Sequence, residues 1–136
     1  METAVRMMNS AMVMKGQEDL FSTVDISELD LYDGTCHFYK IGAAATFIRR
    51  NGIVECLIST SLPVGVSYKL DMEKSEKDLY NGDFLVMVSD GVLEYLHVPN
   101  PEETMQEIIE SIETNNATIL AKRILERVLL FTGGKA

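Results

Sequence analysis

Asn51-Gly52 falls between two short runs rich in apolar and β-branched residues, Thr46 to Arg50 and Ile53 to Ile58. The tightest hairpin turns need positive φ at both central residues, which asparagine and glycine reach at low cost, so the two runs are predicted to pair antiparallel. An antiparallel sheet must therefore be part of this fold. Tyr32-Asp33-Gly34 gives a second hairpin signal, between Phe21 to Leu31 and Thr35 to Ile41. In the earlier run Val24, Ile26, Leu29 and Leu31 slip phase after Ile26, which predicts one long strand with a bulge or two short strands.

The segment from Ser59 to Gly82 holds Pro63, Gly65 and a charged run from Asp71 to Asp78, which predicts a loop, a weak strand near Tyr68 to Met72, and another loop. Phe84 to Val88 is apolar at every position, as in a short strand covered on both faces, and it ends in a turn at Ser89-Asp90-Gly91.

Helical spacing bounds these strands. Val5, Met8 and Met12 stand at i, i+3 and i+7, predicting a helix of about three turns whose methionines fill a core and which Gly16 stops. Asn100-Pro101-Glu102-Glu103 offers a cap, a proline suited to the first helical position, and acids at the positive helix end. Met105, Ile108, Ile109 and Ile112 then form one buried face of a helix ending near Asn115. Asn116 caps a last helix with Ala121, Ile124, Leu125, Val128 and Leu129 inward and Gly133-Gly134 as its stop. Strands followed by paired helices define an α+β chain.

At 136 residues, 46% hydrophobic and 24% charged, the chain has the length and composition of one folded unit, and no repeat or linker divides residues 1–136. Its longest apolar run, Phe84 to Val88, is far below the roughly 20 residues a membrane span needs, and Glu2 stands where an export signal would be basic. No membrane contact by this segment and a cytoplasmic location are expected. With 12 basic against 21 acidic residues, a net charge of −9 opposes binding to nucleic acid. Cys36 and Cys56 are too few for a disulfide framework, and Cys36-His37 would point to opposite faces of a strand.

Chemistry-bearing motifs are sparse. No phosphate loop, nucleophile elbow or His-Glu-x-x-His occurs, and neither His37 nor His97 lies in a triad motif. A calcium loop at Asp33-Gly34 would need acids where residues 29 and 31 are leucine. The remaining candidate is Asp90, a carboxylate held at the end of an apolar strand, where a divalent cation can be gripped by hard oxygen ligands. Asp-Gly after a strand is, by itself, more often a plain turn.

The surrounding blocks add to that signal. Phe21 to Leu31 with Asp33-Gly34, Lys40 to Arg50, Leu62 to Val66, and Asn81-Gly-Asp-Phe-Leu-Val-Met-Val-Ser-Asp-Gly-Val-Leu-Glu94 run in order through most of the chain. Together they resemble the phosphatase domain of the stage II sporulation protein E family and, more broadly, protein phosphatase 2C. The resemblance implies an incomplete 2C-like sandwich of antiparallel sheets flanked by helices. It implies a metal-dependent serine/threonine protein phosphatase, in which two manganese or magnesium ions activate a shared water to attack phosphoserine.

In that scheme Asp90 matches a metal ligand, Ser89 and Gly91 shape its turn, and the nucleophile is a metal-bound water. The family's first and last acidic metal motifs have no counterpart in residues 1–136, so the chain is expected to be the central part of the domain, inactive alone and binding no metal by itself. The implied substrate is a phosphorylated protein of the anti-sigma-factor-antagonist type, and the parent's anchoring in a membrane would leave this domain on the cytoplasmic side. A homodimer paired through open sheet edges is a further expectation. The competing expectation is a non-catalytic phosphatase-like module that binds a partner protein.

Overall fold

The computed structural model describes residues 2–14, 23–58 and 72–131. The Leu62 to Val66 block, the helix stops at Gly16 and Gly133-Gly134, the start of the first strand at Phe21 and most of the weak strand near Tyr68 lie outside those residues. The described elements run α1 (Glu2–Met14), β1 (Val24–Leu29), β2 (Thr35–Ile41), β3 (Thr46–Arg50), β4 (Ile53–Leu57), β5 (Glu73–Asp78), β6 (Phe84–Met87), α2 (Asp90–Tyr95), α3 (Pro101–Glu110) and α4 (Ala117–Phe131). They fall into two units: one up to Ala43 together with Ser59–Leu79, the other Ala44–Ile58 with Tyr80 onward.

The first unit holds α1 and an antiparallel sheet in the order β1-β2-β5. β1 pairs with β2 without interruption, from Val24 opposite Ile41 to Leu29 opposite Cys36, so the expected bulge is absent. The phase slip is the strand ending: the Asp30 amide donates to the Thr35 carbonyl, the Gly34 amide to the Asp30 carbonyl, and Leu31 and Tyr32 stand fully in solvent. Gly34 is required twice over, because its φ is +78° and a Cβ there would lie 2.6 Å from the Leu79 carbonyl oxygen.

On β2, Cys36, Phe38 and Lys40 share the buried face, and Lys40 Nζ donates to Asp25 Oδ2 at 2.9 Å from the position directly opposite. β5 corrects the expected loop at Asp71 to Asp78. Glu-Lys-Ser-Glu-Lys-Asp has no apolar face to announce a strand, yet it pairs along β2 through its backbone and presents charge at the sheet edge. The methionine reading also changes: α1 buries Val5 and Asn9, whereas Met7, Met8 and Met14 are exposed. Val5 packs with Ile41, Val24, Ile26 and Met72 in a small cluster.

The second unit has a sheet ordered β4-β3-β6, all antiparallel, with α2, α3 and α4. The Asn51-Gly52 hairpin forms as predicted, with φ of 52° and 77°. Asn100 Oδ1 accepts the Glu103 amide at 3.2 Å, and Asn116 Oδ1 accepts the Ile119 amide at 3.0 Å, so both predicted caps are made. Met105, Ile108, Ile109 and Ile112 are buried with Phe47, Val54, Leu93 and Leu96 in the main core.

Two elements pack differently from expectation. α4 buries Leu120, Ile124 and Val128, leaving Leu125 and Leu129 about half exposed, because its stripe follows i, i+4, i+8 on a narrower face. β6 is not covered on both faces: Phe84, Leu85 and Val86 are half-buried and Met87 exposed, since among the described residues it pairs only with β3. On the far edge of this sheet, α3 supplies side chains to the backbone of β4. Gln106 Nε2 donates to the Val54 carbonyl, and Glu110 Oε2 accepts the Val54 amide, each at 3.0 Å. Residues four apart on a helix thus satisfy both polar groups of one strand residue. No described helix is long and apolar enough to cross a membrane.

Candidate functional site

β6 carries the candidate ligand, and its start is pinned by charge. Asp83 accepts the Tyr80 amide at 2.8 Å and both forks of Arg50, while the Arg50 guanidinium lies 4.7 Å over the Tyr80 ring. The Arg50 hydrogen bonds hold the Asp83 carboxyl below the usual carboxylate range. From this anchor β6 runs along β3, with Phe84 opposite Arg49 and Met87 opposite Thr46.

The chain leaves the sheet at Val88. Ser89 is extended, its carbonyl accepts the Val92 amide at 3.1 Å, and Asp90 is the first residue of α2. The expected turn is thus the opening turn of a six-residue helix, held down by buried Leu93 and Leu96. Ser89, Asp90 and Gly91 are all exposed, and the Ser89 side chain makes no capping hydrogen bond. A Cβ at Gly91 would meet only Ser89 Oγ, at 3.7 Å, so space alone does not demand glycine there. An acid at a helix start also lies favourably against the helix dipole, a role Asp90 fills without any ligand.

Among the described residues no group of three or more histidine, cysteine, aspartate or glutamate side chains is gathered to hold a metal. Asp90 offers one carboxylate, against the about six oxygens that magnesium takes. The described residues therefore do not fit a manganese or magnesium ion by themselves. Asp30 and Asp33 instead accept the Tyr32 and Thr35 amides of their own turn, and the Thr35 amide lowers the Asp33 carboxyl below its ordinary value. Cys36 is fully buried, which pushes its thiol up, while His37 lies 3.3 Å from Glu76. His97, at φ 51°, follows the end of α2.

Two buried cations escaped sequence reasoning: Lys40, paired with Asp25, and Arg49, on the β3 face opposite to Arg50. Period-two geometry does separate Arg49 from Arg50, but it does not say which is inside.

Antiparallel sheets with flanking helices match the architecture of 2C-type phosphatase domains. The structure of the PP2C phosphatase domain and a fragment of the regulatory domain of the cell fate determinant SpoIIE from Bacillus subtilis superimposes with a TM-score of 0.84 at 32% identity, over 94% of this chain and 38% of that one. A manganese-presoaked structure of the SpoIIE phosphatase domain gives a TM-score of 0.75 at 29% identity, over 98% of this chain and 60% of that one. The family profile of Stage II sporulation protein E (SpoIIE) matches residues 1–136, and the chain belongs to that family. The Stage II sporulation protein E of Bacillus subtilis (strain 168) is 32% identical over 133 residues, which cover 97% of this chain and 16% of that protein. The chain thus spans about a sixth of the length of that relative.

Proposed function

We propose that residues 1–136 are the central part of a metal-dependent serine/threonine protein phosphatase domain that hydrolyses phosphoserine on a protein. In this reading Asp90 supplies one ligand to manganese or magnesium, flanked by the small Ser89 and Gly91. The other ligands belong to acidic motifs of a longer protein. The observation that carries it is the placement of Asp90: exposed, at the junction of β6 and α2, in the Ser-Asp-Gly of a chain that belongs to the SpoIIE family. The related SpoIIE phosphatase domain described as Mn presoaked supports the choice of metal.

The residues of this chain contribute position. Arg50 and Asp83 fix one end of β6, β3 fixes its register, and Leu93 and Leu96 seat the helix that Asp90 opens. A carboxylate so held loses little freedom on gripping an ion. The substrate in this reading is a phosphorylated anti-sigma-factor antagonist, a location on the cytoplasmic side follows from that substrate, and two copies pair through open sheet edges.

The test is manganese-dependent phosphate release from a phosphoserine protein, comparing the 136-residue chain, a chain extended through the flanking acidic motifs, and the extended chain with Asp90→Asn. Activity in the extended chain alone, lost on substitution, supports the reading. Silence in all three would favour a phosphatase-like module that binds its partner without catalysis.

A further inference from the structure

Arg49 is 7% exposed, yet its surroundings do not match its charge. Its Nη1 donates to the Thr114 carbonyl at 3.5 Å, the long limit of a hydrogen bond, its guanidinium lies 5.8 Å from the Phe84 ring centroid, and its Nε has no hydrogen-bond partner. Among the described residues no carboxylate pairs with it, whereas its neighbour Arg50 has Asp83. A buried guanidinium without a counter-charge is costly unless something supplies one.

Arg49 also lines a pocket of about 250 Å³, walled by Asn51, Gly52, Gly82, Thr114 and Asn115. The Asn51-Gly52 hairpin, the turn before β6 and the loop between α3 and α4 meet there. The two asparagine amides add neutral donors. A Cβ at Gly52 or Gly82 would meet nothing within 4 Å, so both turns present bare backbone to open space. A guanidinium, side-chain amides and accessible backbone form the donor set that takes an oxyanion. The volume is below the roughly 300 Å³ at which drug-sized pockets begin, which suits a small anion. Arg49 faces Phe84 at the start of β6, whereas Asp90 comes three residues beyond Met87, the far end of the strand, which is itself about 10 Å from Phe84.

We propose that this pocket is a binding site for a small oxyanion, a phosphate or a carboxylate, whose charge completes Arg49 at the end of β6 away from Asp90. The site stands on its own geometry and does not depend on the phosphatase reading.

The probes are inorganic phosphate and, separately, acetate, each titrated into the full ¹⁵N-labelled chain at ionic strength held constant with chloride. The readout is the Arg49 Nε–Hε resonance. It is expected to move saturably, together with the Asn51, Gly52 and Asn115 amides. Response to phosphate alone, to acetate alone or to both identifies the anion, and each supports the site. Arg49→Lys should abolish the response at the amides. Because that buried change can also disturb folding, Asn51→Asp on the exposed rim is the second variant. Aspartate tolerates the φ of 52°, places a carboxylate at the mouth, and should weaken binding at least ~10-fold. Neither anion shifting Arg49 beyond the chloride control would overturn the proposal, and so would unchanged binding in Asn51→Asp.

Discussion

Arg50 grips Asp83 through a fork: Nε lies 3.0 Å from both carboxylate oxygens and Nη2 2.6 Å from Oδ2, with the Asp83 side chain only 5% exposed. The same carboxylate accepts the Tyr80 amide, so one residue ties the β3–β4 hairpin side of the sheet to the turn that launches β6. Asp83 has a depressed folded-state pKa, which makes its contribution fully present above the unfolded value near 3.8 and lost as pH falls through the folded value. Asp83→Asn should therefore destabilise the chain by about 1–3 kcal/mol at pH 7 and flatten the acid limb of its stability curve. Urea melts of both proteins between neutral pH and about pH 3 measure this.

Gly34 and Gly91 should respond differently to the same substitution. Gly34→Ala combines a φ of +78° with a Cβ 2.6 Å from the Leu79 carbonyl, and should cost about 1–3 kcal/mol. Gly91→Ala opens a helix with its nearest contact at 3.7 Å and should change stability by less than about 1 kcal/mol in either direction. Thermal unfolding of the two variants side by side makes the comparison.

The Val54 peptide group depends on α3. Glu110→Ala removes the acceptor of the Val54 amide on the side of β4 away from β3, where water can replace it only in part. A loss of about 0.5–1.5 kcal/mol is expected, with faster hydrogen exchange at Val54 than at its ladder-bonded neighbours in β3. Ile109→Ala, at a fully buried position on the same helix, should cost about 2–5 kcal/mol, whereas Leu130→Ala, 75% exposed, should stay within about 0.5 kcal/mol.

Local chemistry made much of this fold legible. Asn51-Gly52, Asn100-Pro101 and Asn116 each dictate a backbone conformation within a few residues, and all three form as read. β5 was hidden because its six residues carry no apolar alternation; its strand conformation comes from pairing along β2, a contact more than thirty residues away. The exposed methionines of α1 and the exposed Leu125 and Leu129 of α4 show the same limit, since spacing says which residues share a face but not how wide a face is buried. At the candidate site, Asp90 is legible through its place at the end of an apolar strand and through the family-like blocks around it. The strand-to-helix junction that displays it, and the buried Arg49 at the other end of β6, needed the tertiary structure.

The claim that Asp90 is a metal ligand is tested most directly by manganese binding, followed by electron paramagnetic resonance of the free ion, in a chain extended through the flanking acidic motifs. Saturable binding is expected, weakening on the order of 100-fold in Asp90→Asn while the fold, judged by circular dichroism, is retained. Equal manganese affinity in the two proteins would contradict it, leaving Asp90 as the opening residue of α2 and nothing more.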